Sequence, residues 1–161
     1  MLTANPQRSA FVSAMRKVPS AVAVVSMKYA GCRGGLTATA VCSVSADPPQ
    51  ILVCVNKAGR AHSAISSAER FAVNFLAQNQ DGIARDFSDP KAQPEEKFSG
   101  GKWIAGASEV PLLEDALVAF ECHLVQSMDC GTHTIFVGQI TEVHQRDELA
   151  LVYKSGEFLA A

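Results

Sequence analysis

Residues 35–49 read GLTATAVCSVSADPP. After Leu36 the run holds only small or β-branched side chains, and it stops at Asp47-Pro48-Pro49. A core strand ordinarily fills space with larger side chains. A run this slim leaves its backbone approachable, so something other than side chains packs against it. One candidate occupant is a planar ligand bonded by backbone N–H groups, with the hydroxyls of Thr37, Thr39, Ser43 and Ser45 in reach of its polar atoms or of phosphate. The other is a helix packed tightly on the strand. The residues of the run leave both open.

Working outward, periodicity assigns the neighbours. A helix is predicted over 9–18, with Phe11, Met15 and Val18 on one face and Pro19 at its end. Strands are predicted over 21–27, 36–45, 51–55 and 71–76, and helices over 58–68 and 79–87. The polar stretch 88–101 reads as a loop, and Trp103 opens an irregular segment ending at Pro111. Over 116–126 the apolar residues Ala116, Val118, Phe120, Cys122 and Leu124 alternate with others, which puts Glu121 and His123 on the opposite, polar face. Further strands follow over 133–143, 149–153 and 158–159. About seven strands joined mostly by short turns, with helices at the rim, predict a mainly β fold: one antiparallel β-barrel domain over 1–161.

The 161 residues suffice for one domain with a real core. Apolar residues at 48% and charged residues at 19% exclude disorder, and a net charge of −2 argues against nucleic acid or anionic membrane as partner. No aliphatic stretch approaches the length of a membrane span, and residues 1–20 lack the apolar core of a signal peptide, so a cytoplasmic protein is expected. The five cysteines are odd in number and include no C-x-x-C, which disfavours a disulfide framework or a zinc site. Cys42, Cys54 and Cys122 fall in strands and read as small buried hydrophobes. The four histidines are scattered, and no metal site is expected. The glycines do not form G-x-G-x-x-G, and no Walker A, H-E-x-x-H or G-x-S-x-G pattern occurs, which lowers the weight of Rossmann, zinc-hydrolase and serine-hydrolase chemistry.

The slim run is followed in order by ILVCVNKAGRAH (51–62), RFAVNFL (70–76), IARDF (83–87), KFSG (97–100), GTHTIFVGQI (131–140) and LVYKSGEF (151–158). Over nearly the whole chain this series resembles the short flavin reductases. More closely, it resembles the reductase components of two-component flavin-dependent monooxygenases, such as that of 4-hydroxyphenylacetate 3-monooxygenase. The resemblance implies an FMN-binding split barrel, usually a homodimer, that uses NADH or NADPH to reduce FMN or FAD. The reduced flavin is then passed to a partner monooxygenase. A non-catalytic flavin- or haem-binding protein of the same fold is the competing reading.

The resemblance also implies roles for residues. The backbone of Gly35, Leu36, Thr37, Ala38, Thr39 and Ala40 would follow the flavin. Asn56, Lys57, Arg60 and Ala61 end a strand and open a helix, a ready phosphate site, with Arg60 the first choice and Lys57 the second. Ser63 could cap the helix or touch phosphate. Arg85 matches an arginine that contacts flavin in some relatives. Asn74 is a polar residue in an apolar strand, so its amide must bond either to a neighbouring loop or to the cofactor. His133 in Gly-Thr-His is the candidate catalytic residue, holding nicotinamide or ribose or stabilising charge on reduced flavin. Tyr153 would lie beside the nicotinamide nucleotide, with Lys154 and Ser155. Where many relatives carry arginine after this tyrosine, the chain has Lys154-Ser155-Gly156-Glu157. Lysine cannot make the bidentate contact and Glu157 would repel phosphate, which points to NADH rather than NADPH.

Overall fold

A computed structural model describes residues 5–161. Its first elements are α1 (Pro6–Met15), β1 (Ser20–Ala21), β2 (Ala23–Tyr29), β3 (Cys32–Ala38), β4 (Val41–Ala46) and β5 (Pro49–Asn56). Then come α2 (Arg60–Ala68), β6 (Arg70–Phe75), α3 (Asp81–Ser88), a 3-10 turn at Glu96–Ser99, β7 (Trp103–Ala105) and β8 (Pro111–Leu113). The last third holds β9 (Val118–Cys130), β10 (His133–Gln145), β11 (Leu151–Lys154) and β12 (Glu157–Ala160).

The slim run is two strands, not the single strand predicted over 36–45. It breaks at Thr39 and Ala40, and its halves lie on opposite edges of a seven-stranded antiparallel sheet ordered β3-β2-β6-β9-β10-β5-β4. The sheet curls but is not closed, so the predicted barrel is an open one. Its two edge strands are consecutive in sequence. At the break the Cys54 N–H donates to the Ala40 carbonyl at 3.0 Å, tying the link to β5.

β2 is buried on both faces and separates two cores. Ala23, Val25 and Met27 join Val53, Val55, Phe71, Val73 and Phe136 inside the curl, where Ile65 of α2 plugs one end. Val24 faces the other way, onto Ile83 and Phe87 of α3, Phe98, Leu112 and Leu113. A near-continuous apolar strand such as AVVSM is what a two-sided position requires. Gly138 on β10 is a packing necessity, since a Cβ there would stand 2.5 Å from Phe71 and 2.7 Å from Cys122.

Several expectations change. The stretch from Trp103 to Pro111 forms a two-stranded ribbon, β7 with β8. Helix α1 exists, but it buries none of its residues, and Phe11 is 65% exposed. Cys42 is exposed and Cys54 half-buried. Only Cys122 of the three is a buried thiol, and burial, with Glu121 adding, pushes its pKa up to about 12. Among the described residues no helix is long and apolar enough to cross a membrane.

Glu121 overturns the alternation reading of β9. It is 1% exposed rather than on a polar outer face, because the turn after β7 folds over it. The carboxylate accepts from Ala107 N at 3.0 Å, Ser108 N at 2.9 Å and Ser108 Oγ at 2.6 Å, and His144 Nε2 lies 3.6 Å away. Burial raises its pKa, but the bonds from Ser108 and Ala107, with His144, outweigh that and leave it below the ordinary glutamate value. A depressed folded-state pKa stabilises the fold above the unfolded value, about 4.3, and the contribution is lost as the pH falls. Glu121→Gln should therefore destabilise by about 2–3 kcal/mol in urea titrations at pH 7, by turning an amide donor toward N–H groups. The gap between variant and parent should narrow below about pH 4.

Candidate functional site

A groove lies where the edge strand β3 meets the start of α2. It has a volume of about 540 Å³. Gly34, Gly35, Leu36 and Thr37 form one wall, and Asn56, Gly59, Arg60 and Ala61 the second. The third is the segment from Phe87 through Pro90 and Pro94 to Lys97. Because β3 pairs only with β2, half of its backbone donors and acceptors point away from the sheet.

Of the two occupants suggested by the slim run, the helix is the one the structure shows. Helix α3 packs on β3 so closely that a Cβ on Gly35 would stand 2.7 Å from the Phe87 ring and 2.9 Å from the Val25 carbonyl. The Thr37 hydroxyl, expected to face a ligand, instead donates to the Ala84 carbonyl of α3 at 2.7 Å. The same residues then present their backbone to the groove.

At the second wall, β5 ends and the Asn56 Oδ1 accepts from Ala58 N at 3.0 Å, turning the chain into α2. The N-cap is Gly59, without a side-chain cap, so the first N–H groups of α2 are left to other partners. Arg60 stands at this end. The Ser63 hydroxyl reaches the Arg60 carbonyl at 3.4 Å, a local bond within the helix.

The third wall is the stretch read as a plain polar loop. An aromatic cluster gives it shape: Phe87, Phe98 and Trp103 stand with centroids 5.0–5.2 Å apart. Arg33 lies over the Phe98 ring at 4.4 Å and pairs with Glu95. Lys97 donates to the Phe87 carbonyl at 3.2 Å. Burial draws its pKa down from the ordinary lysine value, Asp89 opposes this, and Arg60 adds to it. KFSG was the sequence signal for this wall.

Of the residues singled out in the sequence, the groove brings together Gly35, Leu36, Thr37, Asn56, Arg60 and Ala61. Ala38 does not take part: its side chain is in the core of the curl. Thr39 and Ala40 sit at the exposed break between β3 and β4. Lys57 turns away to Asp129, 3.1 Å distant. Asn74 is fully buried and bonded within the protein, donating to the Val24 carbonyl and Ser26 Oγ and accepting from Leu113 N, each at 3.0 Å. Its amide ties β6 to β2 and β8. His133 begins β10 in register with Asn56, one strand from the groove, with its Nδ1 2.8 Å from the Thr132 hydroxyl.

The others, Arg85 on α3 and Tyr153, Lys154 and Ser155 at the β11–β12 hairpin, do not line this groove. Arg85 is 3.5 Å from Asp81, stands 4.9 Å over the Phe158 ring, and lines a second cavity of about 450 Å³ with Leu151 and Glu157. Tyr153 packs on Phe158, and Lys154 is exposed. Ser155 gives both its N–H (2.7 Å) and its hydroxyl (3.3 Å) to the Arg16 carbonyl, which commits it to holding the end of α1.

Sequence reading missed a bonded chain beside His133. His62 Nε2 lies 2.7 Å from the Thr134 hydroxyl, which donates to Asp129 at 2.7 Å, and Asp129 pairs with Lys57. The Thr134 bond, then Lys57, holds the Asp129 carboxyl below the ordinary aspartate value. The chain pins the β9–β10 turn to the corner that carries Arg60. The side chains are too far apart in sequence for spacing to reveal it. No group of described His, Cys, Asp or Glu side chains is arranged to hold a metal.

An apolar groove with an open strand edge on one side and cations on the others has the chemistry to take a planar, anionic small molecule. Residues 15–161 match the model of the flavin reductase like domain, and the chain belongs to that family. It is 37% identical over 145 residues to the FMN reductase (NADH) RutF of Pseudomonas syringae pv. syringae, covering 89% of this chain and 81% of that one. It is 36% identical over 154 residues (94% of this chain and 86% of the relative) to the reductase component of the FADH(2)-dependent resorcinol hydroxylase of Rhizobium sp.. The NADH:FAD oxidoreductase SgcE6 of Streptomyces globisporus, solved with NAD and FAD fragments, superposes with a TM-score of 0.89 at 28% identity, covering 96% of this chain and 93% of that one.

The packing of Phe87 on β3 sets a contrast between adjacent glycines. Gly35→Ala should destabilise by about 1–3 kcal/mol, because the Phe87 ring must move. Gly34→Ala, whose Cβ would meet only the Met27 sulfur at 3.4 Å, should cost much less. Thermal melts of the two variants read the difference.

Proposed function

We propose that the protein is an NADH-dependent flavin reductase that supplies reduced flavin to a separate monooxygenase. The observation that carries the reading is the groove itself, in a chain whose relatives include FMN reductases and a hydroxylase reductase component. Its residues fit a flavin: an open β3 edge suits the heteroatoms of the ring, apolar Leu36, Val55 and Ala64 suit its faces, and Arg60 suits the phosphate. Bound flavin would supply a two-electron acceptor for hydride from NADH.

The protein's own groups would orient the reactants and exclude water. Backbone donors of Gly34–Thr37 would favour negative charge on the ring side they face. Asn56, with Oδ1 engaged by Ala58, keeps its amide N–H groups available for a ligand. With its Nδ1 2.8 Å from the Thr132 hydroxyl, His133 would use Nε2 to hold the nicotinamide nucleotide. Lys154-Ser155-Gly156-Glu157 favours NADH over NADPH. Ser155, whose hydroxyl donates to the Arg16 carbonyl, would meet a nucleotide only as an acceptor.

The protein also acts as a homodimer, in our reading. Exposed apolar side chains, Phe11 and Met15 on α1 and Val125, Met128 and Val143 on the β9–β10 ribbon, are the surface that a second copy would cover. Five free cysteines accord with a reducing, cytoplasmic location.

NADH oxidation followed at 340 nm should require added flavin, and comparing FMN with FAD ranks the two. A bound yellow chromophore without turnover would favour the non-catalytic flavoprotein. His133→Ala should lower NADH turnover about tenfold or more while leaving flavin affinity within a few-fold. Light scattering should give twice the chain mass.

A further inference from the structure

Resting on the reading of His133 as the residue that holds the nicotinamide nucleotide, we infer that Thr134 and His62 are its positioning residues: their bonded chain fixes the turn that carries His133. That turn, between β9 and β10, is tight and exposed, and Gly131 in it has φ +56°. Exposed turns are held loosely by their own backbone. This one is gripped on three sides. The Lys57 N–H donates to the Thr132 carbonyl at 3.0 Å, inside the turn. Asp129 and Thr134 face each other across it and are joined by the 2.7 Å bond from the Thr134 hydroxyl. His62 Nε2, 2.7 Å from the same hydroxyl, ties both to α2.

The direction of these bonds follows from counting protons. The hydroxyl has one, and an ionised carboxylate can only accept, so that proton goes to Asp129. Only a lone pair is left for His62, and Nε2 must donate. The chain therefore runs one way, from imidazole N–H to hydroxyl to carboxylate, and the Lys57 ammonium closes on the other carboxylate oxygen at 3.1 Å. Bonds aligned in this way reinforce one another. Thr134 is buried, and the His62 ring lies 5.6 Å from that of Phe136 in the core. Two members of the chain are thus anchored in packed protein, while the turn they hold stands in solvent. No member of the chain lines the groove, so its effect on the reaction runs through His133. Hydride transfer is sensitive to such support, since a misplacement of about 1 Å can cost on the order of a hundredfold in rate.

The test measures NADH oxidation, and FMN affinity by fluorescence quenching, in Thr134→Val, Thr134→Ser, His133→Ala and the Thr134→Val/His133→Ala double variant, each below its melting temperature. Thr134→Val keeps the volume and removes the hydroxyl. It should lower kcat about tenfold and leave FMN affinity within about threefold, and Thr134→Ser should restore turnover. In the His133→Ala background the same substitution should cost less than about twofold, because the residue it acts through is gone. His62→Phe, which keeps a ring against Phe136 but cannot donate, carries the same comparison if Thr134→Val does not fold. Parental turnover in Thr134→Val, or an undiminished loss in the His133→Ala background, would overturn the assignment. So would a parallel loss of FMN affinity, which would move the effect of the chain to the start of α2. If His133→Ala itself turns over like the parent, the nicotinamide reading of His133 falls, and this assignment with it.

Discussion

The ring of Phe87 resting on the side-chain-free face of Gly35 is the contact on which the rest of the site depends. It presses α3 onto β3, and only glycine permits the approach. The same ring anchors Phe98 and Trp103, which shape residues 88–101 into a wall. The carbonyl of the same residue receives Lys97. One close approach thus fixes a strand edge, a loop and a cation relative to each other. A groove built this way needs little ordering when a ligand arrives, which favours tight binding.

The curled sheet supplies the rigid frame for this arrangement. β2 is buried on both sides, so the groove-bearing β3 is held to a strand that belongs to two cores at once. At the other end of the groove, the bonded chain from His62 through Thr134 and Asp129 to Lys57 ties the β9–β10 turn to the start of α2. Asp129 is largely exposed and Lys57 partly so, and their pair therefore adds little to global stability. Its effect is local: it keeps His133 and Arg60 on one corner.

Much of this was legible in the sequence. Alternation and turn residues marked most strands, and NKAGR between a strand and a helix marked the cationic corner. The slim run marked β3, although its own break at Thr39-Ala40 was invisible, because small β-branched residues suit both halves equally. What stayed hidden depends on contacts distant along the chain. Period-two patterning tells which residues share a face, not whether another segment covers that face, and so Glu121 read as exposed. Segment 88–101 read as polar loop because its order comes from three aromatic rings spread from 87 to 103. The resemblance pointed to Arg85, Tyr153, Lys154 and Ser155, yet none of these lines the groove, and Arg85 lines a second cavity with residues of the β11–β12 hairpin.

That separation makes amide hydrogen exchange with and without FMN the most direct measurement. The account predicts slowed exchange in residues 34–37, 58–61 and 88–97, with the β11–β12 turn unchanged. Protection confined to Arg85 and residues 151–160, with none along β3, would contradict it and place the flavin in the other cavity.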